Sequence, residues 1–189
     1  MPRRLTPPEP PLADDQVRLE PLTQEHVRGL LEMIEDDDVK RFTLVPTGAD
    51  EEFVTGWVAR YEAGWDDASR AGFAIRGVAD GAFLGFASIV RLDLEAREGE
   101  IGYALPPPAR GRGVAGRSVE LLTRWGFGEL GLVRLELRID IRNPASERVA
   151  KRAGYERDGV LRSLHFKEGL RCDLGIWSRL SNLEPHLIP

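Results

Sequence analysis

Apolar residues change their spacing several times along this chain, and each change marks an element. In "QVRLEPL" (residues 16–22), Val17, Leu19 and then Leu22 give a short first strand that Pro21 breaks. Thr23 stands as a helix cap before "QEHVRGLLEMIED", where Val27, Leu30, Leu31 and Ile34 lie on one stripe. "DDDVKRFTLVPTG" (36–48) reads as a loop. Phe53, Trp57 and Tyr61 then recur at four-residue intervals, which predicts a second helix from about Asp50 to Ala63.

The period then shortens. "GFAIRGV" and "FLGFASIVRLDL" are rich in aromatic and β-branched residues and are split at "ADGA", whose Asp80–Gly81 pair is a hairpin turn signal. "EGEIGYAL" is a further strand, and it ends at three prolines that cannot continue a ladder. A helix from about Gly113 to Leu130 follows. In "VRLELRIDI", Val133, Leu135, Leu137, Ile139 and Ile141 alternate strictly, as in a half-buried strand. "NPASERVAKRAG" carries a helix signature, with Asn143 as cap, Pro144 in the first turn and Gly154 as terminator. "YERDGVLR" and "CDLGIWSRL" close the chain as two strands. Helical pair, antiparallel meander, then strand–helix–strand–helix–strand: the order predicts one α/β (α+β) domain over residues 15–181, with a mixed, mostly antiparallel sheet of about seven strands and helices on both faces. Proline-rich residues 1–14 and residues 182–189 are expected to be tails.

Composition narrows the function classes. At 42% hydrophobic and 30% charged, the 189-residue chain has the make-up of a globular protein, and its length suits a single core. The net charge of −5 argues against a general nucleic-acid binder. A single cysteine, Cys172, excludes an internal disulfide and fits a reducing compartment; in an alternating strand it is expected to be buried and inert. No apolar run approaches a membrane span, and "LTPPEPPLADD" after Arg3 and Arg4 supplies no signal core, so the expected location is the cytoplasm, away from membranes. His26, His165 and His186 have no metal-ligand spacing, so no metal is expected.

Against this acidic background, residues 101–119 contain three arginines and no Asp or Glu. Arg110, Gly111, Arg112, Gly113, Gly116 and Arg117 fall where a helix begins. A helix N-terminus leaves amides unpaired and carries about half a positive charge, glycines let a ligand approach those amides, and guanidinium groups are phosphate donors. A diphosphate is the expected guest. A Walker loop is excluded by its missing Lys-Ser/Thr. "GRGVAG" fits a dinucleotide string, with Glu136 as the distant acid, but the preceding strands read as antiparallel and no second parallel half exists.

"RGRGVA", with Arg110, Gly113 and Ala115, matches the Arg/Gln-x-x-Gly-x-Gly/Ala pyrophosphate signature of the Gcn5-related N-acetyltransferases. Together with "EIGY" before it and Asn143, Ser146, Gly154 and Tyr155 after it, the chain resembles that family from about residue 15 to 181. It is most similar to the subgroup that acetylates N-terminal amines of ribosomal proteins. The resemblance implies acetyl-CoA as co-substrate, lying between splayed strands at 97–105 and 133–141. Its pantetheine arm would pair near Tyr103, Ala104 and Leu105, with Asn143 also holding it, and its diphosphate would lie on the amides of Gly111, Arg112, Gly113, Val114, Ala115 and Gly116. The acceptor would be a protein N-terminus or a small amine. A homodimer is an expectation by analogy alone.

An α-amine with pKa near 8 is about one-tenth neutral at pH 7, whereas a lysine is neutral below about one part in a thousand, a difference of roughly 3 kcal/mol. A modest base therefore suffices for an N-terminal amine, through water if needed. Glu100, on the strand face opposite Ile101 and Tyr103, is the first candidate; Glu168 in "HFKEG" is the alternative. The amide of Tyr103 or Ala104 would polarise the carbonyl. The tyrosine that many family members carry after the second strand falls on Ala150 here, so that acid is missing. Ser146 either stabilises the thiolate or caps its helix. Tyr155 reads as packing; Phe53, Trp57 and Tyr61 as core or substrate box; and "EDDD" at 35–38 as a solvated run or a recognition patch. The competing function is a catalytically degenerate acyl-CoA sensor.

Overall fold

The computed structural model describes residues 4–181. Eight strands form one sheet in the order β1-β2-β3-β4-β5-β6-β8-β7. These are β1 (Leu12–Ala13), β2 (Val17–Pro21), β3 (Ala71–Gly77), β4 (Phe83–Asp93), β5 (Glu98–Ala104), β6 (Arg134–Asp140), β7 (Glu156–Lys167) and β8 (Leu170–Leu180). All neighbours are antiparallel except β5 and β6. The helices are α1 (Val27–Ile34), α2 (Asp37–Phe42), α3 (Glu51–Asp67), α4 (Val114–Gly128) and α5 (Pro144–Arg152). Among the described residues, no helix is long and apolar enough to cross a membrane.

Strand alternation builds a core on each face of the sheet. Phe73, Ile75, Ile89, Ile101, Leu135 and Leu137 pack with Leu122 and Trp125 of α4 and Ala150 of α5. Ala74, Phe86 and Ala104 take the other face, against Leu30, Met33 and Ile34 of α1 and Val54, Val58 and Tyr61 of α3. Trp65 and Trp125 meet Phe73 edge-on at 5.5 and 5.6 Å, and each such buried ring contributes about 2–3 kcal/mol of transfer energy.

Three sequence expectations change. Residues 36–42, read as loop, contain α2: Asp36 caps it by accepting from Val39 N at 3.0 Å, Asp37 and Asp38 sit in its favourable first turn, and Val39 is buried. The supposed N-terminal tail is packed over residues 4–14. Leu5 is 4% exposed and its amide donates to Trp65 O at 2.8 Å, while β1 adds an eighth strand beside β2. The last hairpin runs further than expected, to the Lys167↔Leu170 pair, and Gly169 closes its turn at φ +81°. Residues 182–189, including His186, lie outside the described residues.

Gly85 fixes the approach of β4 to β5. Its φ is +143°, and a Cβ there would stand 2.4 Å from the Ala104 carbonyl oxygen. Gly85→Ala is therefore expected to destabilise the fold by about 2–3 kcal/mol. Gly159→Ala, where φ is unrestricted and a Cβ meets nothing within 4 Å, should stay within about 0.5 kcal/mol of wild type. Urea midpoints at unchanged slope measure both, and equal midpoints would show that β4 and β5 tolerate separation at this point.

Candidate active site

β5 and β6 pair for only three residues, Glu98–Glu100 against Arg134–Glu136. Beyond that, β5 stays beside β4 as far as Ala104 and β6 stays beside β8 as far as Asp140. The two strands thus part toward their C-terminal ends, and a cleft of about 1690 Å³ lies along the gap. Its lining includes Glu100, Tyr103, Ala104, Leu105, Asn143 and Ser146, together with the turn at 110–117 except Arg112.

At that turn, Gly111 and Gly113 adopt φ of +72° and +81°, conformations that favour glycine. The amides of Gly111, Arg112, Gly113, Val114, Ala115 and Gly116 have no protein acceptor among the described residues; the first main-chain-bound amide of the helix is Arg117 N, on Gly113 O at 3.1 Å. A Cβ at Gly116 would meet nothing within 4 Å, so the missing side chain leaves a shallow dish over the helix end. Open amides, a positive helix terminus and bare backbone fit a diphosphate.

The arginines are used differently from the expectation. The Arg110 guanidinium donates to Leu105 O at 3.0 Å and to Asp38 at 3.1 Å, and pairs with Asp36. Burial pushes the Asp36 carboxyl up, but Arg110 and the Val39 amide outweigh it and hold the group below its usual range. Arg117 binds Asp14 at 2.7 Å and Asp15 at 2.6 Å. These two side chains clamp the glycine turn to α2 and to the N-terminal segment, so they serve as buttresses and not as free phosphate donors. Arg112 is exposed and has no ion pair among the described residues, but it stands outside the cleft lining.

Asn143 Oδ1 accepts from Ser146 N at 3.0 Å, so Asn143 is the cap of α5 and the Ser146 hydroxyl is free of that duty. Ser146 Oγ lies 2.5 Å from the Tyr103 hydroxyl, a bond that spans from β5 to α5. Burial pushes the Tyr103 phenol up to about 12 although Ser146 opposes the shift. Sequence reasoning singled out the Tyr103 amide and missed this hydroxyl. The signal was the alternation that puts Tyr103 on the α5 side of β5. Ala150, where the family tyrosine would stand, is wholly buried.

Glu100 faces the cleft from the last paired step of β5. Burial raises its carboxyl pKa, and the nearby Glu136 charge adds to that; Arg138 and Arg91 pull the other way without cancelling the rise. The Arg91 and Arg138 Nε atoms are 3.0 and 3.1 Å from its Oε2, neither in hydrogen-bond geometry. Glu168 is not placed in the cleft lining. It accepts from Thr47 N at 2.5 Å and Thr47 Oγ1 at 2.9 Å, and those bonds hold its carboxyl below the usual range. Beside it, Lys167 Nζ donates to Thr43 O at 3.2 Å and to Lys40 O, so the β7–β8 tip is fastened to the α2–α3 loop.

Phe53, Trp57 and Tyr61 pack in the α1/α3 core, Trp57 and Tyr61 against Phe86 and Phe53 against Trp57, and all three also line the cleft. Tyr155 is packing, with its hydroxyl 2.8 Å from Thr123 Oγ1. Cys172 is half-buried and not fully enclosed as expected, because Arg142 Nη2 reaches its Sγ at 2.7 Å. Among the described residues, no group of three His, Cys, Asp or Glu side chains could hold a metal ion.

A sheet parted between two parallel strands, with an open amide turn at the mouth, makes a cleft with a turn at one end suited to phosphate. Residues 16–156 match the family model described as an acetyltransferase (GNAT) domain. The chain belongs to the GNAT acetyltransferase family, and it is an N-acetyltransferase that uses acetyl-CoA. The uncharacterized N-acetyltransferase YoaA of Bacillus subtilis is 23% identical over 89% of this chain and 96% of its own. The spermidine N(1)-acetyltransferase of Escherichia coli is 26% identical over 81% of this chain and 80% of its own. The solved structure of RimL, a ribosomal L7/L12 alpha-N-protein acetyltransferase in complex with coenzyme A, superposes at a TM-score of 0.81. It covers 90% of this chain and 96% of its own at 17% identity, a likeness of fold.

The chain has three tyrosines, and burial is the leading cause of a raised pKa in each: Tyr61 upward, Tyr103 and Tyr155 to about 12. A phenol whose folded pKa exceeds its unfolded value of about 10 contributes stability that is complete below pH 10 and is lost as pH rises toward 12. An alkaline absorbance titration of the folded protein should therefore show the phenols ionising above their ordinary range, Tyr103 and Tyr155 only as the pH approaches 12. One tyrosine ionising near pH 10 in the folded protein would place its hydroxyl in solvent.

Proposed function

We propose that the protein transfers the acetyl group of acetyl-CoA to a primary amine by direct attack, the acceptor being a protein N-terminal α-amine or a small-molecule amine. The observation that carries this reading is the meeting of the β5–β6 gap with the unpaired amides of Gly111–Gly116. In this reading those amides hold the diphosphate. The strand edge at Tyr103, Ala104 and Leu105 holds the pantetheine arm, and the Asn143 side chain lies beside it. An unpaired amide at Tyr103 or Ala104 polarises the thioester carbonyl.

Glu100, kept basic by its burial, takes a proton from the attacking amine directly or through water. The bond from nitrogen to the carbonyl carbon forms, the carbon–sulfur bond breaks, and the electron pair leaves on sulfur. Ser146 Oγ hydrogen-bonds the departing thiolate, and the Tyr103 hydroxyl behind it orients that serine and supplies a second O–H in line. A phenol held near 12 stays protonated at neutral pH, so the pair donates without being consumed. The buried alanine at 150 gives the sensor reading its one support, because it removes the usual tyrosine acid.

Ser146→Ala is expected to lower kcat by about 10- to 100-fold while leaving the acetyl-CoA Kd within about twofold, since the capping bond to Asn143 uses the Ser146 amide. Tyr103→Phe should act in the same direction. Gly113→Glu should abolish acetyl-CoA binding in calorimetry, because its carboxylate would enter the diphosphate site and φ of +81° disfavours any side chain. Thiol release against a panel of amines reads turnover. Cofactor binding with no thiol release from any amine would leave the sensor standing.

A further inference from the structure

The cleft's acidic residues are neutralised by the protein itself, whereas several of its arginines are not. Asp38 is paired with Arg110, Glu120 with Arg179 and Asp140 with Arg142, and Glu100 lies between Arg91 and Arg138. On the acceptor wall, formed by α2, α3 and the loop after α3, stand Arg41, Arg60 and Arg70. None of the three has a carboxylate within ion-pair distance among the described residues. Asp67 acts on Arg70 only through space.

Each of these guanidinium groups is instead placed over an aromatic ring. Arg41 is 5.0 Å from the Phe42 centroid, Arg60 is 5.9 Å from Phe53, and Arg70 is 5.8 Å from Tyr61. Stacking on a ring face orients the planar group and leaves its N–H edges available. Oriented, unpaired guanidinium groups beside an apolar wall suit bidentate capture of a carboxylate or phosphate, and they repel a polycation.

Resting on the acetyl-transfer reading above, we infer that the acceptor is an amine that also carries anionic groups. Suitable forms are a peptide whose N-terminal residue is followed by Asp or Glu, or a small amine bearing a phosphate; a polyamine is not. The amine enters between Glu100 and the thioester while the anion rests on Arg60 and Arg70. Three of the four acids at residues 35–38, the run that invited a basic acceptor, are engaged elsewhere: Asp36 caps α2, Asp36 and Asp38 hold Arg110, and Glu35 holds Lys40, while Asp37 is outside the cleft lining.

Thiol release from acetyl-CoA tests this with five acceptors: a peptide beginning Ser-Asp-Glu, its Ser-Asn-Gln isostere, a Ser-Lys-Lys peptide, phosphoethanolamine and spermidine. For the wild type, kcat/KM with the acidic peptide or the phosphorylated amine should exceed that of the isostere, the basic peptide and spermidine by at least about tenfold, and the margin should shrink as salt is raised. The first two acceptors separate a peptide carboxylate from a free phosphate as the favoured source of charge. The double variant Arg60→Gln/Arg70→Gln should reduce the acidic-to-neutral ratio to about threefold or less. Arg60→Glu/Arg70→Glu should invert the ratio toward spermidine, with acetyl-CoA affinity in calorimetry reporting that the fold is intact.

Thiol release that is fastest with spermidine, the basic peptide or the neutral isostere would overturn this inference and leave acetyl transfer standing. No thiol release with any acceptor, despite acetyl-CoA binding, would overturn the acetyl-transfer reading and this inference with it. Should either variant fail to fold, the wild-type ranking still decides.

Discussion

Three consecutive residue pairs hold the two halves of the sheet together, and the cleft exists because a fourth does not form. Had β5 and β6 stayed in register past Glu100 and Glu136, the peptide groups of residues 101–104 would have satisfied one another and closed the space. Each strand is therefore secured from its other side. β5 is carried by β4 as far as Ala104 and β6 by β8 as far as Asp140, so the parted edges stay rigid although they face nothing on the chain. The close approach of Gly85 to the Ala104 carbonyl belongs to the same arrangement, since it keeps β5 on β4 where β6 turns away.

The charge layout follows a similar economy. Arg110 and Arg117 bracket the glycine turn, yet their guanidinium groups are held by carboxylates and tie the turn to α2 and to Asp14 and Asp15. Site electrostatics at that end come from the peptide dipoles of α4. On the opposite wall the charge without a carboxylate partner sits on side chains stacked over rings. One end of the cleft thus carries fixed backbone donors, and the other carries adjustable side-chain donors.

Much of this was legible in the sequence because it is local. Val17 and Leu19, Leu135 and Leu137, the Asp80–Gly81 turn, the Asn143 cap and the glycines at 111 and 113 each act within a few residues, where periodicity and backbone chemistry suffice. Three kinds of feature escaped. α2 is a single six-residue helix whose cap and first two residues are all carboxylates, too short to show an apolar stripe. β1 is two residues long, shorter than any alternation can register. The carboxylate partners of Arg110 lie 72 and 74 residues away and those of Arg117 lie 102 and 103 away, so no local pattern could tell a phosphate donor from a buttress. The Tyr103–Ser146 bond, 43 residues apart, escaped for the same reason.

The fastening of the β7–β8 tip to the α2–α3 loop, through Lys167 on Thr43 and Glu168 on Thr47, carries a consequence for access. Covalent chain and hydrogen bonds together close a loop on that side of the cleft, and His165 and Phe166 of the same tip line the cleft. A guest that reaches the cleft from that side has to pass this loop of chain, like thread past the eye of a needle. A free chain end or a small amine, the acceptors proposed above, suits such a passage better than a side chain presented on the flat of a folded neighbour.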